Sequence, residues 1–158
     1  MKKWLTLVCA CLLLFLSGCS FLNTANDTLD YVKETSTYLG EATQFASEAP
    51  PLIEQAINNN TGIPELIAAF QQMKTNIEEF NKLIPPETAA DFHQQITEQN
   101  LLLSQQIDIY LTDLKDGNLA PALLENAELL QPIQEITNII EQVEMLGRQV
   151  SETLSARD

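Results

Sequence analysis

The sequence predicts an all-α protein, an up-and-down antiparallel bundle of about four main helices with proline kinks. Apolar residues recur along the chain at steps of three and four, with no alternating strand pattern between the breaks. Prolines and Gly/Asn clusters punctuate this pattern at helix-length intervals. The connections they leave are short, which makes successive helices antiparallel neighbours.

Residues 1–18 read as a secretory signal. Lys2 and Lys3 supply a positive start, and Trp4 to Leu16 form a nearly unbroken apolar run. That run is about 13 residues, on the order of 20 Å as a helix, too short for a hydrocarbon core of roughly 30 Å. Leu16-Ser17-Gly18-Cys19 has the form of a lipobox, with an apolar residue, two small residues for a narrow protease cleft, and a thiol for a diacylglyceryl group. Cleavage is expected between Gly18 and Cys19, with lipid on Cys19. Two acyl chains at ~0.8 kcal/mol per buried methylene give stable anchoring where one is marginal. Residues 19–24 then form a lipidated tether of under ten residues to a first cap at Thr24 or Asn26, and residues 25–158 form the helical bundle domain.

The first helix of that domain is expected over roughly 25–48, with Leu29, Val32, Ser36, Leu39, Thr43 and Ala46 on its apolar face. Pro50-Pro51 should interrupt it and reopen a short segment, Leu52 to Asn58. Asn58 to Gly62 is turn composition, and Pro64 starts a second helix. Leu66, Phe70, Met73, Ile77, Phe80 and Ile84 make the cleanest amphipathic stripe in the chain.

Pro85-Pro86 should end that helix and open a third, with Glu87 and Asp91 favourably placed in its first turns. Its main stripe is Phe92, Ile96, Leu103, Ile107, Tyr110 and Leu114. Leu102 and Ile109 add a second, so this helix is expected to be the most buried. Gly117-Asn118 closes it. A last helix runs from about Pro121 to Leu154, kinked at Pro132, with Ile133, Ile136, Ile140, Val143, Val150 and Leu154 inward.

Several runs carry a resemblance. They are Leu16 to Asn23, Thr28 to Val32, Phe45 to Pro50, Ile77 to Asn81, Pro85-Pro86 before His93 to Ile96, and Leu124 to Asn126. Together they resemble a family of small lipoproteins of unknown function from Gram-positive, Bacillus-type bacteria, over most of the chain to about Gly147. The resemblance implies a place on the outer face of the cytoplasmic membrane and transfers no catalytic residues.

Charge and composition narrow the chemistry. With Lys2 and Lys3 removed, 6 of the 8 Lys/Arg remain against 22 Asp/Glu, a formal charge of −16. Nucleic acid is not an expected partner, because binding it rests on neutralising phosphates. Cys9 and Cys11 leave with the signal and Cys19 is taken by lipid, so the mature chain has no disulfide, no cysteine metal site and no cysteine nucleophile. His93 is the sole histidine, which excludes paired Glu-x-x-His and His-Glu-x-x-His metal sites. It reads as a surface or packing residue near the start of the third helix.

Asp113 to Asn118 fails as a calcium loop, since Leu114 occupies a ligand position and Leu123 stands where the bidentate glutamate belongs. Asn26-Asp27-Thr28 and Asn59-Asn60-Thr61 are cap and turn residues. Tyr31, Tyr38, Phe45, Phe70, Phe80, Phe92 and Tyr110 are assigned to core packing. No catalytic residue, metal or cofactor is expected. The favoured reading is a non-enzymatic binding or structural module that engages another envelope protein through acidic faces or inter-helix grooves. The alternative is a carrier holding an apolar or cationic small ligand between its helices, which would need an internal cavity.

Overall fold

The computed structural model describes the backbone of residues 2–59, 61–116 and 127–156, and the side chains of 24–59, 61–115 and 129–156. Among the described residues four helices follow one another: α1 (Lys2–Asn59), α2 (Ile63–Phe80), α3 (Ala90–Asp116) and α4 (Ala127–Ser155). A 3-10 turn, Glu87–Ala89, leads into α3, and no strand occurs among the described residues. Helix α1 packs against α2 and α4, and α3 against α4. The α2–α3 seam is the thinnest of the four. This is the expected all-α bundle.

Helix α1 differs from its expected form in three ways. Its backbone is helical from Lys2, so residues 19–24 and the anticipated caps at Thr24 and Asn26 lie within one continuous helix. Pro50 and Pro51 also lie inside it. Each removes a backbone hydrogen bond, a cost of about 3 kcal/mol in an isolated helix. Burial of Phe45, Ala49, Ile53 and Ala56 on the face running through the prolines offsets that cost. The helix therefore continues to Asn59 rather than breaking at residue 50.

The third correction concerns which face is inward. Thr28, Tyr31, Thr35, Tyr38, Ala42 and Phe45 are buried, whereas Leu29, Val32, Ser36, Leu39, Thr43 and Ala46 flank that seam or face solvent. The buried stripe lies one residue earlier at every step, a rotation of about 100°. Threonine is tolerated there because its hydroxyl returns to the preceding turn: Thr28 donates to the Thr24 carbonyl at 2.7 Å and Thr35 to the Tyr31 carbonyl at 2.7 Å.

Gly62 opens α2 at φ 75, a left-handed value that glycine adopts without strain, and Pro64 sits in the first turn. Leu66, Phe70, Met73, Ile77 and Phe80 are buried as expected. Ile84 is not: it is 91% exposed. The helix ends at Phe80, and Leu83 to Pro86 carry no helix because a residue before proline disfavours the α conformation.

In α3, Ile96, Leu103, Ile107, Tyr110 and Leu114 are buried and Phe92 packs on the core. The second stripe faces out, with Leu102 at 48% and Ile109 at 51% exposed, so α3 is not the most buried helix. The expected turn at Gly117-Asn118 and start at Pro121 lie outside the described residues. From Ala127 onward α4 contains Pro132 and turns Leu129, Ile133, Ile136, Ile140 and Val143 inward, while Val150 and Leu154 are only partly covered. At Gly147 a Cβ would lie 3.0 Å from the Val32 side chain, so the missing side chain lets α1 and α4 approach closely.

Candidate functional site

Two features stand out above the packed interior: a buried polar seam that ties α1 to α3, and an open acidic groove along α1 whose floor shares Tyr31, Tyr38 and Phe80 with that seam. The seam ties α1 to α3 and to the turn before it. Tyr38 donates its hydroxyl to Asn100 Oδ1, and Asn100 Nδ2 donates to Asn81 Oδ1 at 2.9 Å. Asn100 is fully buried and occupies the gap in the apolar stripe between Ile96 and Leu103. Thr28 and Thr88 hydroxyls meet at 3.0 Å. Burial pushes the Tyr38 hydroxyl above its ordinary range and raises Tyr31 to about 12, so both stay protonated donors at physiological pH.

His93 belongs to this seam. Its ring stacks on Phe80 with centroids 5.1 Å apart, and its Nδ1 lies 3.1 Å from the Tyr31 hydroxyl. That is packing, one of the two roles assigned to it from sequence. Burial lowers its pKa below the ordinary 6.5. The unfolded chain therefore takes up the proton first, and this contribution to stability is complete above about pH 6.5 and is lost as pH falls through the folded value. Urea midpoints of wild type and His93→Gln are expected to diverge above pH 6.5 and converge in acid. An identical pH profile would contradict this placement of His93.

The groove runs along α1, between it and α2 over most of its length and between it and the Leu83–Pro86 connection at one end. Three hollows of about 390, 170 and 250 Å³ follow each other along it, sharing Glu34 and Leu83 at one junction and Glu41 and Asn76 at the next. Asp27, Glu34, Glu41 and Glu48 line it from α1 at seven-residue intervals, with Asp30 beside them and Glu79 opposite on α2. Tyr31, Tyr38, Phe45, Met73 and Phe80 form its floor. Among the described residues no Lys or Arg lines it. The ion pairs among the described residues lie elsewhere, Lys74 with Asp108 at 2.5 Å and Arg148 with Glu144 at 4.0 Å.

Desolvation and the Glu79 charge both raise the Glu41 carboxyl. The sign is opposite to that of His93: the folded chain holds this proton more tightly, so the contribution is present at low pH and lost as Glu41 ionises. The groove thus carries unneutralised negative charge over an apolar floor. The sequence points to acidic faces or inter-helix grooves as the means of engaging a partner without saying which carboxylates take part. The seven-residue spacing was there to be read, but the groove exists only once α2 lies beside α1.

Among the described residues, no group of three or more His, Cys, Asp and Glu side chains is placed to hold a metal, and no helix is long and apolar enough to cross a membrane. The side chain of Cys19 lies outside the described residues, although the backbone of Gly18 and Cys19 belongs to α1.

Residues 31–146 match a family of unknown function, DUF6376. The chain is similar to the uncharacterized lipoprotein YybP of Bacillus subtilis (strain 168), at 34% identity over 147 residues that cover 93% of this chain and 99% of the relative. No solved structure matches it.

Proposed function

The chain belongs to the family of unknown function DUF6376, and on that premise we propose that it is a lipid-anchored module on the outer face of the cytoplasmic membrane that binds another envelope protein without catalysing a reaction. The observation that carries the reading is the open groove along α1 and α2, acidic at its walls and apolar at its floor, above a core whose large side chains are closely buried. A carrier would hold its ligand inside the bundle, and the hollows found here lie at its surface instead. The relative's being a lipoprotein supports the anchor, as do the lipobox pattern at Leu16 to Cys19 and the short apolar run before it.

Short-spacer cross-linking in intact cells, followed by purification of the lipidated protein from membranes, tests the reading. A single envelope protein joined to the wild type and absent from Cys19→Ala is the expected result. No protein adduct, with a stoichiometric small molecule in the purified protein, would replace this reading with the carrier.

A further inference from the structure

The groove is built to a regular plan. Asp27, Glu34, Glu41 and Glu48 form a row of carboxylates about 32 Å long at 1.5 Å per residue, winding about the α1 axis by roughly 20° per seven-residue step. The apolar floor repeats with the same period at Tyr31, Tyr38 and Phe45. An occupant must match both rows, offering cations beside apolar groups over a comparable length. A metal ion or a short polyamine matches only the first.

A second observation distinguishes the occupant's chemistry. Asn76, 8% exposed, sits where two of the hollows meet. Its Oδ1 accepts a hydrogen bond from Gln72 Nε2 at 2.8 Å, and among the described residues its amide nitrogen has no acceptor. A buried donor left unpaired is costly, so an occupant that brings an acceptor to it is favoured. Polyamines and metal ions carry no acceptor. A peptide carries one in every carbonyl.

Resting on the binding-module reading, we propose that the α1–α2 groove docks a basic amphipathic peptide segment of a partner protein. Its Lys or Arg side chains pair with the carboxylate row, its apolar side chains lie on the aromatic floor, and one of its carbonyl or side-chain oxygens accepts from Asn76 Nδ2. Ionisation of Glu41 beside Glu79, which the fold resists, becomes easier once a cation lies between them.

The test uses the full lipidated protein in detergent and a fluorescent helical peptide of about 22 residues, long enough for the groove, with Lys at every seventh position and Leu between. A Lys→Gln version of the peptide is the neutral control and spermine the small polycation. Two triple variants remove the same charge: Glu34→Gln, Glu41→Gln and Glu48→Gln in the groove, and Glu135→Gln, Glu141→Gln and Glu152→Gln on the exposed face of α4. Unchanged circular dichroism establishes that both are folded.

Binding of the Lys peptide should weaken about tenfold or more in the groove variant and less than about twofold in the α4 variant. The Gln peptide should not bind, and spermine should not compete at concentrations where the peptide saturates. Equal weakening in both variants would overturn the proposal in favour of unspecific charge attraction. Competition by spermine would overturn it in favour of a small polycation. In cells, a cross-linked partner that persists in the groove variant would refute the groove assignment while leaving the binding module standing. Absence of any partner from wild type would refute that reading itself.

Discussion

Phe80→Ala should destabilise the protein by about 3–5 kcal/mol, the range for deleting a buried aromatic ring. Phe80 is buried at the foot of α2, where its ring stacks on Tyr38 with centroids 4.5 Å apart and on His93 from α3. Truncation leaves a cavity at the point where three helices meet and removes two ring contacts together. Against a typical domain stability of about 5–15 kcal/mol this is a large share. Urea unfolding of the detergent-solubilised protein, followed by far-ultraviolet circular dichroism, reads it. Leu102→Ala, on the outward face of α3, should change stability by less than about 0.5 kcal/mol. A loss below about 1 kcal/mol for Phe80→Ala, or one as large for Leu102→Ala, would mean that the inward faces of α2 and α3 are misassigned.

Which faces turn inward was legible wherever burial is done by aliphatic and aromatic residues at clear spacing. Leu66 to Phe80 in α2 and Ile133 to Val143 in α4 are such runs. In α1 the aromatic character of Tyr31 and Tyr38 marked them as core residues, but the buried face also holds Thr28 and Thr35, polar types whose hydroxyls are satisfied by the carbonyls of the preceding turn. Leu29, Val32 and Leu39 form a more apolar row one residue later, and hydrophobicity alone selects that row. Asn100 was illegible for the same reason, since its burial depends on Tyr38 and Asn81.

The two Pro-Pro pairs show how context decides a local signal. Pro85-Pro86 follows Asn81-Lys82, where the chain has already left the helix, and Ile84 before it is exposed. There the dipeptide holds an open connection. Pro50-Pro51 is flanked by buried Ala49, Ile53 and Ala56, and packing carries the helix through it. The carboxylates of the groove were visible as acidic composition, and their joint use depends on the pairing of α1 with α2.

Cys19→Ala should abolish membrane attachment and leave the fold intact. On the proposed reading the substitution removes the site of diacylglycerol addition, and no helix among the described residues is long and apolar enough to cross a membrane. A formal charge of −14 for the whole chain, or −16 with residues 1–18 removed as proposed, gives no attraction to an anionic lipid surface. Membrane fractions should therefore lose the protein, while its circular dichroism after purification stays that of a helical bundle. Radiolabelled fatty acid should enter the wild type alone. Label retained by Cys19→Ala would mean that another residue carries the lipid.

The most direct test of the anchored-module account is the mass of the N-terminal proteolytic fragment of the protein extracted from its native membrane. The account predicts a fragment that begins at Cys19 and carries a diacylglyceryl group. A fragment that begins upstream of Cys19, or one that begins there with a free thiol, would contradict it.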